Sequence, residues 1–427
     1  MADVTASQSQ FSAQSGKAEL SGSELKEQLA RALRRQKGRA LLLVAPLLLF
    51  ILVTFAWPIA VMLYNSVSSP GFGQTFQRTA IALRDWDSSK GIPDEKVFAA
   101  LVADLKQARK ERSIGRAATR INYDLPGTRS VFTSSARKAR KIKGPPYKEA
   151  VLKLSEDWGT RELWSTFKRI AKPRTLGFYV AALDRRYNAD GEIVPQSEDR
   201  QIYIQMYGRT LWISTLVTVL CLLLGYPVAY LLSVLPLRTS NLLMIMVLLP
   251  FWTSLLVRTT SWIAILQRQG VLNDLAVGVG LISDDNRLQM IYNQMGTVIA
   301  MTHILLPFMI LPLYSVMKTI PPSFMRAARS LGATQFTAYR RVYMPQTLPG
   351  VGAGSILVFI LAIGYYITPA LVGGRTGTMI SNFIAFHMQK SLNWGMAAAL
   401  GSMLLVGVLI LYWLYNKIVG VDNMKFG

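Results

Sequence analysis

Six stretches of the chain run for about 20 residues or more with almost no charge, and this constrains the fold more than any other feature. A helix needs about 20 apolar residues to cross a hydrocarbon core of about 30 Å. Windows of that kind lie at residues 40–64, 210–237, 292–317, 342–374 and 391–416, with a sixth at 239–266 broken only by Arg258. The 342–374 window exceeds one span, and Pro345 and Pro349 place the start of its helix near Gly350. The first window is too long, and the tail before it too extended, for a cleaved leader, so it reads as a retained helix. The expected fold class is therefore an all-α polytopic membrane protein with six transmembrane helices.

Charge orients the spans. The chain is 17% charged, below the roughly 25% of soluble domains. Even so, 47 Lys and Arg oppose 24 Asp and Glu, for a net +23. Arg31, Arg34, Arg35, Lys37 and Arg39 precede the first span, and the loop 318–350 carries Lys318, Arg326, Arg329, Arg340 and Arg341 with no acid. Six spans put these regions on one side, with Arg238, Lys417 and Lys425. The loop 267–291 sets Arg268 and Arg287 against Asp274, Asp284 and Asp285. The positive-inside rule places both termini in the cytoplasm. The first 23 residues, rich in Ser, Ala and Gln, read as disordered.

Residues 65–205 then fall outside. This stretch holds 26 basic and 16 acidic side chains, a net of +10, and long loops translocate largely regardless of charge. Pro93-Asp94-Glu95 opens a helix whose Val97, Leu101 and Leu105 share a face. Trp86, Trp158, Trp164, Phe167, Phe178 and Tyr179 suit a folded core, and Asn188 to Gly191 reads as a turn. The basic run from Arg137 to Lys143 reads as a solvated face, with an acidic partner or anionic headgroup as the alternative. We expect a small helical or mixed domain of about 100–140 residues, with no nucleic-acid role.

No enzyme constellation is present. Cys221 sits in an apolar run and reads as a small buried hydrophobe, and His303 and His387 cannot build a zinc site without further ligands. The chain has no phosphate-cradling GxxxxGK[ST] loop. The spans contain no Asp or Glu, which argues against a proton-coupled carrier. Arg258 would lie roughly 19 residues along a straight third span, about 28 Å from its cytoplasmic end at 1.5 Å per residue. It could snorkel there, or line an outer vestibule with Trp252 and Trp262.

The informative segment is the acid-free loop. Residues 323–331 form a short helix after Pro321-Pro322, Gly332 fits its end, where φ is positive, and Ala327 and Ala328 leave a smooth patch. A helix–glycine–helix elbow of this kind is a protrusion suited to docking. The spacing resembles the EAA loop, E-A-A-x(3)-G-x(9)-I-x-L-P, of the membrane subunits of ATP-binding-cassette importers. Ala327, Ala328, Gly332 and Pro345 match, and Val342 and Met344 stand for Ile and Leu. Arg326 occupies the position of the pattern's Glu. Gly225 to Tyr230, Pro250 to Thr259, Pro307 to Pro312, and Gly364 through Pro369 to Gly374 resemble the spermidine/putrescine-type permease branch. Tyr365 stands where that branch tends to carry an acid. The resemblance covers the first span and about residues 202–427.

The resemblance implies a permease subunit of a type I importer that moves a small organic solute (a polyamine, amino-acid or sugar derivative). It implies a second permease chain in a heterodimer, two ATPase subunits that bind ATP and Mg, and a periplasmic solute-binding protein. This chain would then bind no cofactor or metal, catalyse nothing and lie in the bacterial inner membrane in contact with lipid. Expected boundaries are a tail at 1–39, helix 1 at 40–64, a periplasmic insert at 65–205 that docks the binding protein, and a core at 206–427 with its coupling loop at 318–349. The coupling residues are Arg326, Ala327, Ala328, Gly332, Val342, Met344 and Pro345. The candidate pathway residues are Trp252, Arg258, Trp262, Tyr365 and Tyr366. Acid-free spans favour a neutral or anionic solute, whereas the branch favours a polyamine. The alternative function is a channel or secondary carrier without an ATPase.

Overall fold

The computed structural model describes residues 22–68 and 70–419, in two units, Met1–Val61 and Met62–Gly427. The disorder expected for the first 23 residues falls, apart from Gly22 and Ser23, outside the described residues, as does Lys425. Helix α1 (Gly22–Ile51) passes through a π turn, Leu52–Ala56, into α2 (Trp57–Val67), the first unit ending at Val61. Pro58 has no N–H to give, and the wide turn just before it lets the Trp57 amide reach back to the Leu52 carbonyl.

Residues 70–200 fold around aromatic side chains. The main helices are α3 (Glu95–Lys110), α4 (Ile114–Asp124), α5 (Thr128–Lys138), α6 (Arg161–Ile170) and α7 (Gly177–Ala182). Val97, Leu101 and Leu105 line the buried face of α3 behind an extended Asp94, as their spacing predicts. Phe72, Phe76, Phe132, Phe167, Trp158 and Trp164 are fully buried together, with ring centroids 4.8–6.2 Å apart. Trp158 donates to Ser135 Oγ at 2.9 Å and Trp164 to the Trp158 carbonyl at 2.7 Å, so neither indole is left unpaired. Trp86 is partly buried against this core. Strands β1 (Arg185–Tyr187) and β2 (Ile193–Pro195) pair antiparallel, with Arg186 opposite Val194. Asn188 makes the turn by accepting from the Asp190 and Glu192 amides.

The two remaining core candidates, Phe178 and Tyr179, do something else. They seat this segment on the long helices α8 (Tyr203–Val234) and α15 (Trp394–Val419) and on the shorter α14 (Ile380–Gln389). The Phe178 ring fills the space over Gly395, where a Cβ would stand 2.3 Å away. The Tyr179 hydroxyl lies 2.9 Å from both Ser66 Oγ and Ser402 Oγ. Tyr123 donates to the Ser391 carbonyl. Asp184, 6% exposed, accepts from the amides of Ile202, Tyr203 and Ile204 and so caps α8. Asp184→Ala should leave those first-turn donors short of partners, at a cost of about 1–3 kcal/mol. Hydrogen exchange at residues 202–204 should accelerate accordingly; unchanged protection there would show that the cap is dispensable.

The bundle core is α8, α11 (Gln294–Thr319) and α13 (Met344–Gly364). Met301, Leu305, Met309 and Leu313 of α11 pack between Ile213, Val217 and Cys221 on one side and Val358 and Ala362 on the other. Gly225 and Gly350 let the backbones close in. Added Cβ atoms would meet Met309 at 3.2 Å and Val316 at 3.1 Å, respectively.

Among the described residues, five helices are long and apolar enough to cross a membrane: Gln36–Val67, Tyr203–Val234, Gln294–Thr319, Gln335–Gly364 and Trp394–Lys417. Two of the sequence windows behave differently from expectation. The window at 239–266 is not one straight helix. It is a pair, Leu237–Trp252 and Leu255–Gly278, bent by 96°, and counts as a sixth crossing only if the pair is one span. Pro250 cannot continue the hydrogen-bond ladder of α9 (Leu237–Leu248), and Ser254 starts α10 (Leu255–Leu266) by accepting from the Val257 amide. In the fifth window the helix starts before Gly350, at Gln335. A π turn at Tyr339–Tyr343 precedes Pro345, which occupies the first turn of α13, where a missing N–H costs nothing.

Candidate functional site: an exposed elbow and a broken helix

The elbow is α12 (Pro322–Ser330), opened by Pro321 and by a second proline at its first position. It ends in a Schellman motif. Gly332 takes φ +87°, its amide bonds the Arg329 carbonyl at 3.0 Å, and the Ala333 amide bonds the Ala328 carbonyl at 3.1 Å. A side chain at Gly332 would find open space, so only backbone conformation demands glycine there. Thr334 then caps the next helix, Gln335–Ala338, through the Thr337 amide.

No residue of α12 is buried. Arg326 and Ala327 are exposed, as are Gly332, Met344 and Pro345, while Ala328 and Val342 are half-buried. Leu331 is 89% and Phe336 71% exposed, two large apolar side chains flanking the glycine that sequence reasoning did not single out. Apolar tips beside uncompensated arginines make a surface suited to an acidic-rimmed apolar groove. Behind the tip, Met325 packs on the bundle. Tyr339 and Tyr343 stack with centroids 5.6 Å apart, and both meet Tyr230 of α8 edge-on. Packed rings therefore join the segment after the elbow to α8.

The second candidate group surrounds the break before α10. Arg258 donates to the Thr253 carbonyl at 3.0 Å and to the Pro250 carbonyl. It adds to the Thr253 amide and hydroxyl, which also donate to the Pro250 carbonyl, and gives the Thr253 carbonyl a partner at the break. The straight-helix placement of Arg258 near an outer interface is thereby replaced. Arg258→Gln should lower the unfolding free energy of the detergent-solubilised chain by about 1.5–3 kcal/mol, the usual value of a charged hydrogen bond. An unchanged midpoint would remove this role.

Trp262 donates to His303 Nδ1 at 3.1 Å, and His303 and Tyr365 both lie within electrostatic reach of Arg258. Trp262 thus meets His303, which sequence reasoning had weighed only as a metal ligand. Its one legible signal was a lone imidazole in a charge-free window. Trp252, 75% exposed, and Tyr366, 38% exposed, are turned outward and do not join them. Among the described residues no three His, Cys, Asp or Glu side chains converge as a metal site would require.

Apolar helices that bury only part of their surface define a multi-pass membrane protein. Residues 210–419 match the family described as binding-protein-dependent transport system inner membrane component, and the chain belongs to it. The spermidine/putrescine transport system permease protein PotB of Haemophilus influenzae is 36% identical over 220 residues, covering 51% of this chain and 76% of that protein. The Escherichia coli PotB is 31% identical over the same length, covering 79% of its own chain. A crystal structure of a bacterial ABC transporter involved in the import of the acidic polysaccharide alginate overlaps 54% of this chain and 82% of its own, with 20% identity and a TM-score of 0.43.

Proposed function

We propose that this chain is one permease subunit of an ATP-driven type I importer in which ATP and Mg bind a separate pair of ATPase subunits. The observation that carries this is the α12 elbow with Gly332 at φ +87°, unburied and fastened to α8 and α13. A groove on each ATPase would seat such an elbow, and closure of the ATPase pair would tilt the spans between inward- and outward-facing arrangements. A second permease chain completes the pathway. The termini and elbow lie on the cytoplasmic side, by the positive-inside rule, and residues 65–205 lie in the periplasm, where their +10 charge favours docking of an acidic solute-binding protein.

The cargo is a small organic solute. The names of the relatives make a polyamine one candidate. Arg258 and the absence of acids from the spans support a pathway that leaves selection to the binding protein and suits a neutral or anionic solute. The test is reconstitution with the ATPase and binding protein encoded beside this gene. Binding-protein-stimulated ATP turnover supports the reading. Solute flux without any ATPase partner would instead make the chain a channel or secondary carrier. Ligand-induced stabilisation of the binding protein across a metabolite panel identifies the cargo.

A further inference from the structure

The segment 70–200 contains a polar cleft of about 410 Å³ that no transport step requires. Helix α6 places Ser165, Lys168 and Arg169 on one wall at i, i+3 and i+4, and Lys172 and Arg174 follow on the rim. Trp86 and Tyr187 close the opposite side. Lys168 is already used, donating to the Arg84 and Trp86 carbonyls. Arg169 is not. Its guanidinium lies 4.6 Å from the Tyr187 ring centre and makes one long contact to Thr166 Oγ1, at 3.4 Å, while its Nε is buried without a partner. Trp86 Nε1 and Ser165 Oγ are likewise buried and unpaired.

The nearby carboxylates are all engaged elsewhere. Asp124 pairs with Arg120 at 3.1 Å, Glu162 with Arg186 at 2.6 Å, and Asp190, at the cleft edge, with Arg161. Burial pushes the Arg169 guanidinium below its ordinary pKa and outweighs the opposing pull of Asp124 and Glu162. Lys172 and Arg174 are exposed and make no ion pair among the described residues.

We propose that this cleft binds a phosphate group, with Arg169 as the half-buried anchor and Lys172 and Arg174 closing over it from the rim. Three cations without an ion pair among the described residues match an oxyanion with several acceptor oxygens better than a single carboxylate. The phosphate could come from a small phosphorylated solute, as a monoester, or from a phospholipid headgroup, as a singly charged diester, and both offer phosphoryl oxygens to the same cations.

The experiment uses the full chain in detergent, in phosphate-free buffer at fixed ionic strength. Inorganic phosphate and glycerol phosphate should raise the unfolding midpoint saturably, whereas chloride at equal ionic strength should not. Arg169→Gln should weaken the response about thirtyfold or more without lowering the midpoint in phosphate-free buffer, because it removes an unpaired half-buried cation. Lys172→Ala and Arg174→Ala, on exposed positions that do not risk the fold, should each weaken it about threefold or more. In nanodiscs, a shift that needs phosphatidylglycerol rather than phosphatidylcholine, and is lost in Arg169→Gln, assigns the site to a headgroup. A shift already complete with soluble phosphate assigns it to a solute. No shift in either setting, or an equal shift in wild type and all three variants, overturns the proposal.

Discussion

Gly332→Val should cut transport about tenfold or more while the chain still inserts and folds. At φ +87° a β-branched residue is strained by about 1–3 kcal/mol, and each 1.4 kcal/mol is a factor of ten in an equilibrium. That is too little to unfold a protein whose total stability is about 5–15 kcal/mol. It suffices to break the Schellman turn and swing α12 away from its docking angle. Gly332→Asn, which tolerates the left-handed region, should retain much more activity. The readout is binding-protein-stimulated ATP turnover in the reconstituted complex. Wild-type stimulation with valine at this position would show that the elbow is not the coupling element.

The second large effect concerns the aromatic cluster. Trp164→Ala removes a fully buried indole packed on Phe98, Trp158 and Phe167, at an expected cost of about 3–5 kcal/mol. Calorimetry of the solubilised chain should show residues 70–200 melting well before the spans, with early loss of near-ultraviolet aromatic signal. Phe167→Leu, which keeps apolar volume, should cost far less. A single transition at the wild-type temperature would mean that the segment owes little to this core.

Much of this was legible because it rests on local rules. Charge-free windows become helices because the backbone must satisfy itself in lipid. Val97, Leu101 and Leu105 announce a buried face by spacing alone, Asn188 to Gly191 a turn by composition, and Gly332 a helix end by its tolerance of positive φ. What escaped depends on partners distant in sequence or on local geometry with two outcomes. Thr239 to Leu266 reads as one span until Thr253 and Arg258 are seen to donate to the carbonyls at the break and Ser254 to cap the next helix. Pro345 reads as a helix start, yet the π turn before it lets the helix begin ten residues earlier. His303 meets Trp262 across 41 positions, and Phe178 meets Gly395 across a still longer gap, so no window could have paired them. Leu331 and Phe336 read as ordinary apolar residues, and only the structure shows them uncovered.

The way residues 70–200 are tied in has a consequence for ancestry and engineering. The Thr175 amide bonds the Val67 carbonyl at 2.8 Å, Ser68 bridges to Arg174, and Asp184 clasps the start of α8. The neck of this long excursion is thus pinched shut, and closing a loop costs only logarithmically more as it grows. A host bundle can accept, lose or exchange such a cartridge without renegotiating its own helix packing. The pinch at Val67 and Thr175 is accordingly the place to splice in a fluorescent reporter or a foreign domain and expect the transporter beneath it to keep its shape.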